Sequence, residues 1–248
     1  MKILTPFLAA LVAFPLVSVA DDFSNRMKEA TTAITAIRSS GSKEAYVAEL
    51  EKQGRALIKD FPDKEEPYQM LLAVAESSGG DKAKAIIKEL SADNVPAKTR
   101  ERAAMIAKKQ DMVGKPLELK FTAVDGREVD LAAMKGKVVL IDFWAVWCGP
   151  CVAELPNVKA AYDKLHPKGF EIVGISFDQD KGKLEDFVKS KEMAWPQYFD
   201  GKGWQNAFGQ QYGIRSIPSM WLVDKKGNLV DLSARAGLAE KVEKLLAE

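Results

Sequence analysis

The two cysteines of this 248-residue chain lie three positions apart in the stretch WAVWCGPC, from Trp144 to Cys151. A disulfide between Cys148 and Cys151 would close a very small loop, so it would constrain little of the unfolded chain and add little stability. A structural zinc site needs four ligands, and His166 is the only histidine in the chain. The pair is therefore better explained as a redox centre than as a structural staple or a metal site.

The first residues have the pattern of a secretory signal sequence. Lys2 gives a positive start, residues 3–19 are almost entirely apolar, and small residues lead to Ala20. We expect cleavage after Ala20 (signal peptide 1–20) and export to the periplasm or cell envelope. An uncleaved membrane anchor is the alternative, because roughly 17 apolar residues approach the length of a spanning helix. Pro6 and Pro15 favour cleavage.

The charge balance gives no sign of a polyanionic partner. The formal net charge is only +1, so no strongly basic surface points to nucleic acid or anionic lipid. The length that remains after cleavage favours two modest domains.

Residues 21–110 have a helical pattern throughout. Prolines stand near the predicted helix starts and glycines follow the predicted ends, as in "PYQMLLAVAESSGG". The helix starts show no steady period, which excludes a regular helical repeat. We predict a small all-α domain of unknown function, and this domain is a candidate surface for another protein.

The pattern changes near Val113. The alternating stretch around Asp125 and Gly126 predicts a hairpin, and "KVVLIDFWA" and "FEIVGISFD" predict strands buried on both faces. Helical patterns, among them "GWQNAFGQQYG", separate the strands. The stretch "SMWLVDKKGNLV" predicts a closing pair of strands. Residues 113–248 are therefore predicted to form an α/β domain with a mixed sheet.

The cysteines stand where a buried strand gives way to a helix. Unpaired backbone N–H groups and the helix dipole at such a start stabilise a thiolate, so Cys148 is the candidate nucleophile. Cys151, one turn further along, is expected to be more covered and less acidic, which suits a resolving cysteine. Pro150 fits the first helical turn, where its missing N–H costs nothing.

Two acids are candidates for proton transfer to or from Cys151. Asp142 interrupts an apolar run, and burial there would raise its pKa into a useful range; a strand-end aspartate facing solvent is the alternative. Glu154 lies three residues after Cys151, on the same helix face. It could share the proton transfer, or it could be an ordinary surface glutamate.

The segments "VLIDFWAVWCGPC" and "YGIRSIPSMWLVD" resemble the thioredoxin family. The resemblance implies a thioredoxin fold, in which a mixed central sheet is flanked by helices. By position it implies that Cys148 is the nucleophile, Cys151 the resolving cysteine of a redox-active disulfide, and Asp142 the proton-transfer acid. It further implies a cis peptide bond in the substrate-binding loop; the residues that would bind substrate are Trp147, Gly149, Pro150, Ile217 and Pro218.

Several features of the sequence resemble those of the exported TlpA/ResA-type reductases. About forty residues separate the second buried strand from Pro218, enough for an additional helix and strand. The pattern C-x-x-E-x-P, formed by Cys151, Glu154 and Pro156, belongs to the same resemblance. Because Asp142 and Glu154 occur together here, which of them serves Cys151 is left open. The resemblance covers residues 113–248 and says nothing about residues 21–110.

The resemblance implies an enzyme that exchanges dithiols for disulfides without a cofactor or metal. Gly-Pro between the cysteines favours reduction of protein disulfides, for example in cytochrome c biogenesis or envelope redox homeostasis. A reductant in an oxidising compartment implies a membrane electron donor of thiol type as partner.

Four alternatives are weighed against this hypothesis. The same fold could act as a disulfide oxidase or isomerase, or as a thiol peroxidase. The peroxidase is disfavoured because Ala145 stands where that family has threonine. A cysteine hydrolase would need a histidine base, and His166 lies too far along the helix. A non-catalytic binding module would not need the intact cysteine motif.

The other tryptophans are interpreted as core or groove packing: Trp144, Trp195, Trp204 and Trp221.

Overall fold

The computed structural model describes residues 19–39, 41–78 and 80–248, with side chains described from residue 22 onwards. The predicted signal sequence therefore lies outside the described residues, except for the backbone of its last two positions. Within the described ranges, none of the helices combines the length and the apolar character that a membrane crossing requires. The chain divides into two compact units, one ending at Ala103 and the other comprising residues 104–248.

The first unit is helical. Its helices are α1 (Val19–Arg38), α2 (Lys43–Asp60), α3 (Glu65–Ser77), α4 (Gly80–Leu90) and the start of α5 (Ala97–Gln110), which continues past the division. The Ser42 side chain caps α2 by accepting a hydrogen bond from the Ala45 N–H. Helix α3 begins two residues before Pro67, so this proline lies within the first turn, where no donor is needed.

The second unit contains a hairpin and a larger sheet. The predicted hairpin is formed by β1 (Lys120–Thr122) and β2 (Glu128–Asp130), which pair antiparallel. The five-stranded sheet has the order β5-β4-β3-β6-β7. Its strands are β3 (Val138–Trp144), β4 (Phe170–Ser176), β5 (Gln197–Tyr198), β6 (Ser219–Val223) and β7 (Leu229–Asp231).

Helices cover this sheet. They are α6 (Gly149–Leu165), α7 (Lys181–Ser190), α8 (Ala207–Gln211) and α9 (Leu238–Ala247), and both α6 and α9 contact the strands. One predicted helix differs, because "GWQNAFGQQYG" divides into a 3₁₀ turn (Gly203–Gln205) and the short α8. Asn206 causes the division: its backbone leaves the helical region and its side chain caps α8 by accepting from the Gly209 N–H.

Strand β3 determines where the functional groups meet. All of its residues are buried, and it pairs parallel with β4 on one side and antiparallel with β6 on the other. The carboxyl ends of β3 and β4 and the beginning of β6 therefore lie at the same edge of the sheet. The mixed sheet flanked by helices is the fold that the family resemblance implied.

Candidate active site

The cysteine pair lies at the junction of β3 and α6. Cys148 is the N-cap residue of α6, and its sulfur accepts a hydrogen bond from the Cys151 N–H at 3.2 Å. Pro150 occupies the first turn of this helix. The two cysteines form a disulfide. In the dithiol state the same N–H and the helix dipole would favour a thiolate at Cys148 over one deeper in the helix.

The expected difference in exposure between the cysteines is not found. Cys148 is 5% exposed and Cys151 is 6% exposed. The prediction considered only depth along the helix, and the position of Cys148 at the helix start does not leave its sulfur more exposed than that of Cys151. What distinguishes the two sulfurs is therefore the hydrogen bond at the helix start rather than their access to solvent.

A buried carboxylate holds the turn that leads to Cys148. Both oxygens of Asp178 lie 3.1 Å from the Val146 nitrogen, which donates to them. The Ser176 hydroxyl donates to Asp178 as well, at 2.9 Å. Burial raises the pKa of Asp178, and these hydrogen bonds oppose that shift. The turn is thereby tied to the end of β4 through a side chain.

Sequence reasoning did not single out Asp178. The signal was present, since an aspartate follows directly after the buried strand "FEIVGISF". Because the carboxyl ends of neighbouring parallel strands meet at one edge, a polar residue after β4 was a candidate for contact with the turn after β3.

Asp142 is buried in β3, as expected of a proton-transfer acid and not of a strand-end aspartate facing solvent. The residue is 5% exposed, and its Oδ1 atom has no hydrogen-bond partner among the described residues. It is paired in register with Gly174 on β4 and Met220 on β6. Burial, and secondly the negative charge of Glu154, raise the pKa of Asp142 to about 7. An acid with this pKa can both accept and release a proton near neutral pH.

Glu154 forms an ion pair that the sequence did not indicate. Its Oε2 atom accepts a hydrogen bond from Arg235 Nε at 2.7 Å, and its Oε1 atom accepts one from Asn157 at 3.0 Å. The Glu154 side chain is only 13% exposed, so it is not an ordinary surface glutamate. Ala234 fixes the position of Arg235, because its N–H donates to the carbonyl of Met220, the register partner of Asp142.

The second predicted segment meets the cysteine turn at the same edge of the sheet. The Ile217–Pro218 peptide bond is cis. It immediately precedes β6, whose first residue, Ser219, is paired with Phe143 near the end of β3. Ile217 and Pro218 are half-buried. The structure thus brings the two segments, about seventy residues apart in sequence, to one end of β3.

The remaining predicted site residues lie on the surface around Cys148. Gly149 and Pro150 are exposed, and the Trp147 side chain is 54% exposed. Trp204, interpreted from sequence as packing, is 44% exposed and lies beside Trp147 with 6.1 Å between the ring centroids. The other tryptophans interpreted in that way are buried: Trp144, Trp195 and Trp221.

Comparison with known proteins gives one family match and several relatives. Residues 90–246 match the Redoxin family. The chain is 30% identical over 125 residues to the thiol-disulfide oxidoreductase ResA of Bacillus thuringiensis subsp. konkukian, which covers 50% of this chain and 70% of that protein. It is 27% identical over 149 residues to the sporulation thiol-disulfide oxidoreductase A of Bacillus subtilis, covering 59% of this chain and 87% of that protein.

Among solved structures, the chain is similar to the thioredoxin domain of a thiol-disulfide oxidoreductase from Bacteroides vulgatus. The TM-score is 0.47 at 28% sequence identity, and the likeness covers 54% of this chain and 97% of that one.

Replacing Asp142 with asparagine should change how stability depends on pH. The pKa of Asp142 lies near 3.9 in an unfolded chain and at about 7 in the folded protein. The folded state therefore binds the proton more tightly, and the free energy of unfolding falls as pH rises through this window. We expect Asp142→Asn to lack this decline of about 4 kcal/mol. Urea unfolding of the oxidised wild type and of oxidised Asp142→Asn, from about pH 4 to pH 8, measures this difference. The prediction is contradicted if the free energy of unfolding depends on pH equally in the two proteins.

Removing the charge of Glu154 should lower the pKa of Asp142. In Glu154→Gln the repulsion is lost but burial remains, so we expect the pKa of Asp142 to fall below about 7 and stay above about 3.9. Carbon NMR of the Asp142 carboxyl group follows the titration. Glu171→Gln is the matched control, because the Glu171 side chain is also 13% exposed and is not a cause of the shift. An unchanged titration in Glu154→Gln would show the coupling to be absent.

Proposed function

The chain belongs to the Redoxin family, and we propose that it is an exported reductase of protein disulfides that cycles Cys148 and Cys151 between dithiol and disulfide. It is a thiol–disulfide oxidoreductase, as its ResA relatives are named. The observation that carries the proposal is the position of Cys148: it caps α6, is joined to Cys151, and lies at the edge of the sheet where the cis Ile217–Pro218 bond is found.

The first step is attack by the Cys148 thiolate on a disulfide of the substrate protein. A bond forms between Cys148 Sγ and one substrate sulfur, and the substrate disulfide breaks. The other substrate sulfur leaves as a thiolate and takes up a proton. The Cys151 N–H, which already donates to Cys148 Sγ at 3.2 Å in the disulfide, would stabilise the attacking thiolate.

The second step releases the substrate. The Cys151 thiol gives its proton to the Asp142 carboxylate, and the resulting thiolate attacks Cys148 Sγ. The mixed disulfide breaks, the second substrate sulfur departs as a thiolate, and Cys148 and Cys151 are left as the disulfide. Two electrons have passed to the substrate. A pKa of about 7 for Asp142 supports this role, because both the acid and its base are populated near neutral pH.

Glu154 is assigned a supporting role in proton transfer. Its pairing with Arg235 and Asn157 leaves it less free than Asp142 to accept a proton from Cys151. Its negative charge is, however, the second cause of the raised pKa of Asp142. We therefore assign proton exchange with Cys151 to Asp142 and adjustment of that acid to Glu154.

The substrate is expected to lie across the exposed surface around the cysteines. Ser216, just before the cis bond, is exposed, so an extended polypeptide could pair with the backbone there. Contacts with the substrate are assigned to five residues on this surface: Trp147, Gly149, Pro150, Ile217 and Pro218. Substrates could include apocytochrome c or another oxidised exported protein.

The direction of electron flow and the location are linked. The pattern at residues 2–20 supports export, and Gly-Pro between the cysteines supports reduction. An exported reductant must itself be reduced again, so a membrane donor of thiol type is part of the proposal.

The helical unit is proposed to bind another protein. It contains no cysteine, so it cannot take part in dithiol exchange directly. A role in bringing a substrate or donor to the second unit is consistent with its position before the redox domain in the chain.

Substitution of the resolving cysteine should trap the substrate. In Cys151→Ser the mixed disulfide at Cys148 has no internal thiol to break it, so we expect covalent complexes with exported proteins that disappear on reduction. Non-reducing electrophoresis followed by mass spectrometry identifies them. Cys148→Ser is the control and should trap nothing; equal trapping by both variants would refute the assignment of the nucleophile.

The reduction potential tests the direction of the reaction. We expect a value closer to the −270 mV of thioredoxin than to the −120 mV of DsbA, both approximate. Equilibration with glutathione or dithiothreitol buffers measures it, and insulin reduction in the presence of dithiothreitol tests catalysis. A potential above about −150 mV would instead support a disulfide oxidase or isomerase.

A further inference from the structure

Two of the few exposed large apolar side chains touch each other beside the disulfide. Among the described residues, the exposed large hydrophobics are Val113, Trp147 and Trp204. The rings of Trp147 and Trp204 lie 6.1 Å apart with their planes inclined by 55°, so they do not stack face to face. Isolated exposed apolar residues are ordinary on protein surfaces, but a contiguous exposed aromatic pair next to a reactive centre is typical of a binding site.

Trp204 is held in this position by a buried aromatic ring. Its ring packs edge-on against Phe177 with 5.3 Å between the centroids, and Phe177 is fully buried. Gly209 leaves the room for Phe177, because a Cβ atom there would lie 2.6 Å from that ring. The exposed ring of Trp204 therefore stands on a rigid support.

The backbone around Trp204 is fixed as well. Gln210 donates to the Trp204 carbonyl at 2.7 Å. Asn206, which is fully buried, donates to the Ser176 carbonyl at 2.8 Å and accepts from the Gly209 N–H at 2.9 Å. Several buried groups thus keep the Trp204 side chain at the surface, although burying an indole in the core would gain more free energy.

Phe177, which supports Trp204, is also bound to the strand that leads into the cysteine turn. The Phe177 N–H donates to the Trp144 carbonyl at 2.8 Å, and Trp144 is the last residue of β3. Trp147 precedes Cys148 directly. Because Cys148 is only 5% exposed, a substrate sulfur must approach closely. That approach brings the residues flanking the substrate cysteine near Trp147 and therefore near Trp204.

We infer that Trp147 and Trp204 form a subsite for an apolar side chain of the substrate polypeptide, next to the cysteine that Cys148 attacks. This inference rests on the proposed function and deepens it by naming the substrate class. The preferred substrates are disulfides in unfolded or partly folded polypeptide, where apolar residues flanking a cysteine are accessible. Indole faces gain from covering an aliphatic or aromatic group, because water is removed from apolar surface on both partners.

The test uses the full chain, reduced and freed of reductant, and two symmetrical peptide disulfides. The peptides differ only in the residue before cysteine, which is leucine in one and serine in the other. The second-order rate constant for oxidation of the protein is measured by acid quench and alkylation. We expect the leucine peptide to react about tenfold faster, as about 1.4 kcal/mol of apolar contact would give.

In Trp204→Ala the ratio of the two rate constants should fall close to one, whereas Trp204→Phe should keep most of it. A purely structural effect of Trp204→Ala would slow both peptides alike and leave the ratio unchanged, which would overturn the inference. Val113→Ala removes an exposed apolar side chain outside the site and should alter neither rate.

The remaining outcomes separate this inference from the proposed function. If the wild-type protein is oxidised by neither peptide, the proposed function fails. If both peptides react equally fast with the wild type, only the subsite is refuted. A third peptide with arginine at the variable position tests for a cation over the rings, and its reacting faster than the leucine peptide would also refute an apolar subsite.

Discussion

The complete burial of β3 is the constraint on which the rest of the site depends. Since β3 lies between a parallel and an antiparallel neighbour, its carboxyl end collects groups from separate parts of the chain. The turn after β3 supplies the cysteines, the end of β4 supplies Asp178, and the start of β6 supplies Pro218. A shift of register by one residue would turn every side chain of β3 to the opposite face of the sheet, and Asp142 would lose its electrostatic interaction with Glu154 on α6.

The two titrating groups of the proposed reaction are adjusted in opposite directions. The start of α6 offers the Cys151 N–H to Cys148, which in the dithiol state would favour the charged form of the sulfur. The interior around Asp142 offers its Oδ1 atom no hydrogen-bond donor from the described residues, which favours the neutral form of the acid. The ion pair between Glu154 and Arg235 holds a negative charge near this acid. With a pKa of about 7, Asp142 is partly a carboxylate near neutral pH, so in the proposed reaction it can accept the proton of Cys151.

The segment between β4 and β6 adds an exposed aromatic side chain, Trp204, beside the cysteine turn. It contributes α7, β5 and the short α8. Within it, Trp204 lies beside Trp147 and Asn206 binds the end of β4. Asn206 binds the Ser176 carbonyl on β4, and Phe177, which packs against Trp204, donates to the Trp144 carbonyl at the end of β3. Loops on a rigid scaffold commonly carry specificity in this way, because they can vary while the strands retain their packing.

Most helices and strands, and the cysteine pair, could be predicted from local sequence patterns. Apolar runs predicted β3 and β4, the Asp125-Gly126 turn predicted the hairpin, and the cysteine spacing at a strand-to-helix junction predicted the pair that the structure joins as a disulfide. These features are local, so a single stretch of sequence contains the whole signal. The burial of Asp142 was one of two open alternatives, because an apolar run does not show which strand end faces solvent.

Contacts between distant side chains could not be predicted from the sequence. Arg235 lies 81 residues from Glu154, and Asp178 lies 32 residues from Val146, separations over which sequence patterns carry no contact information. The nearly equal shielding of Cys148 and Cys151 and the exposure of Trp204 also depend on how the loops pack. Local periodicity fixes helices and strands, but partners, burial and charge environment arise only when those elements are assembled around β3.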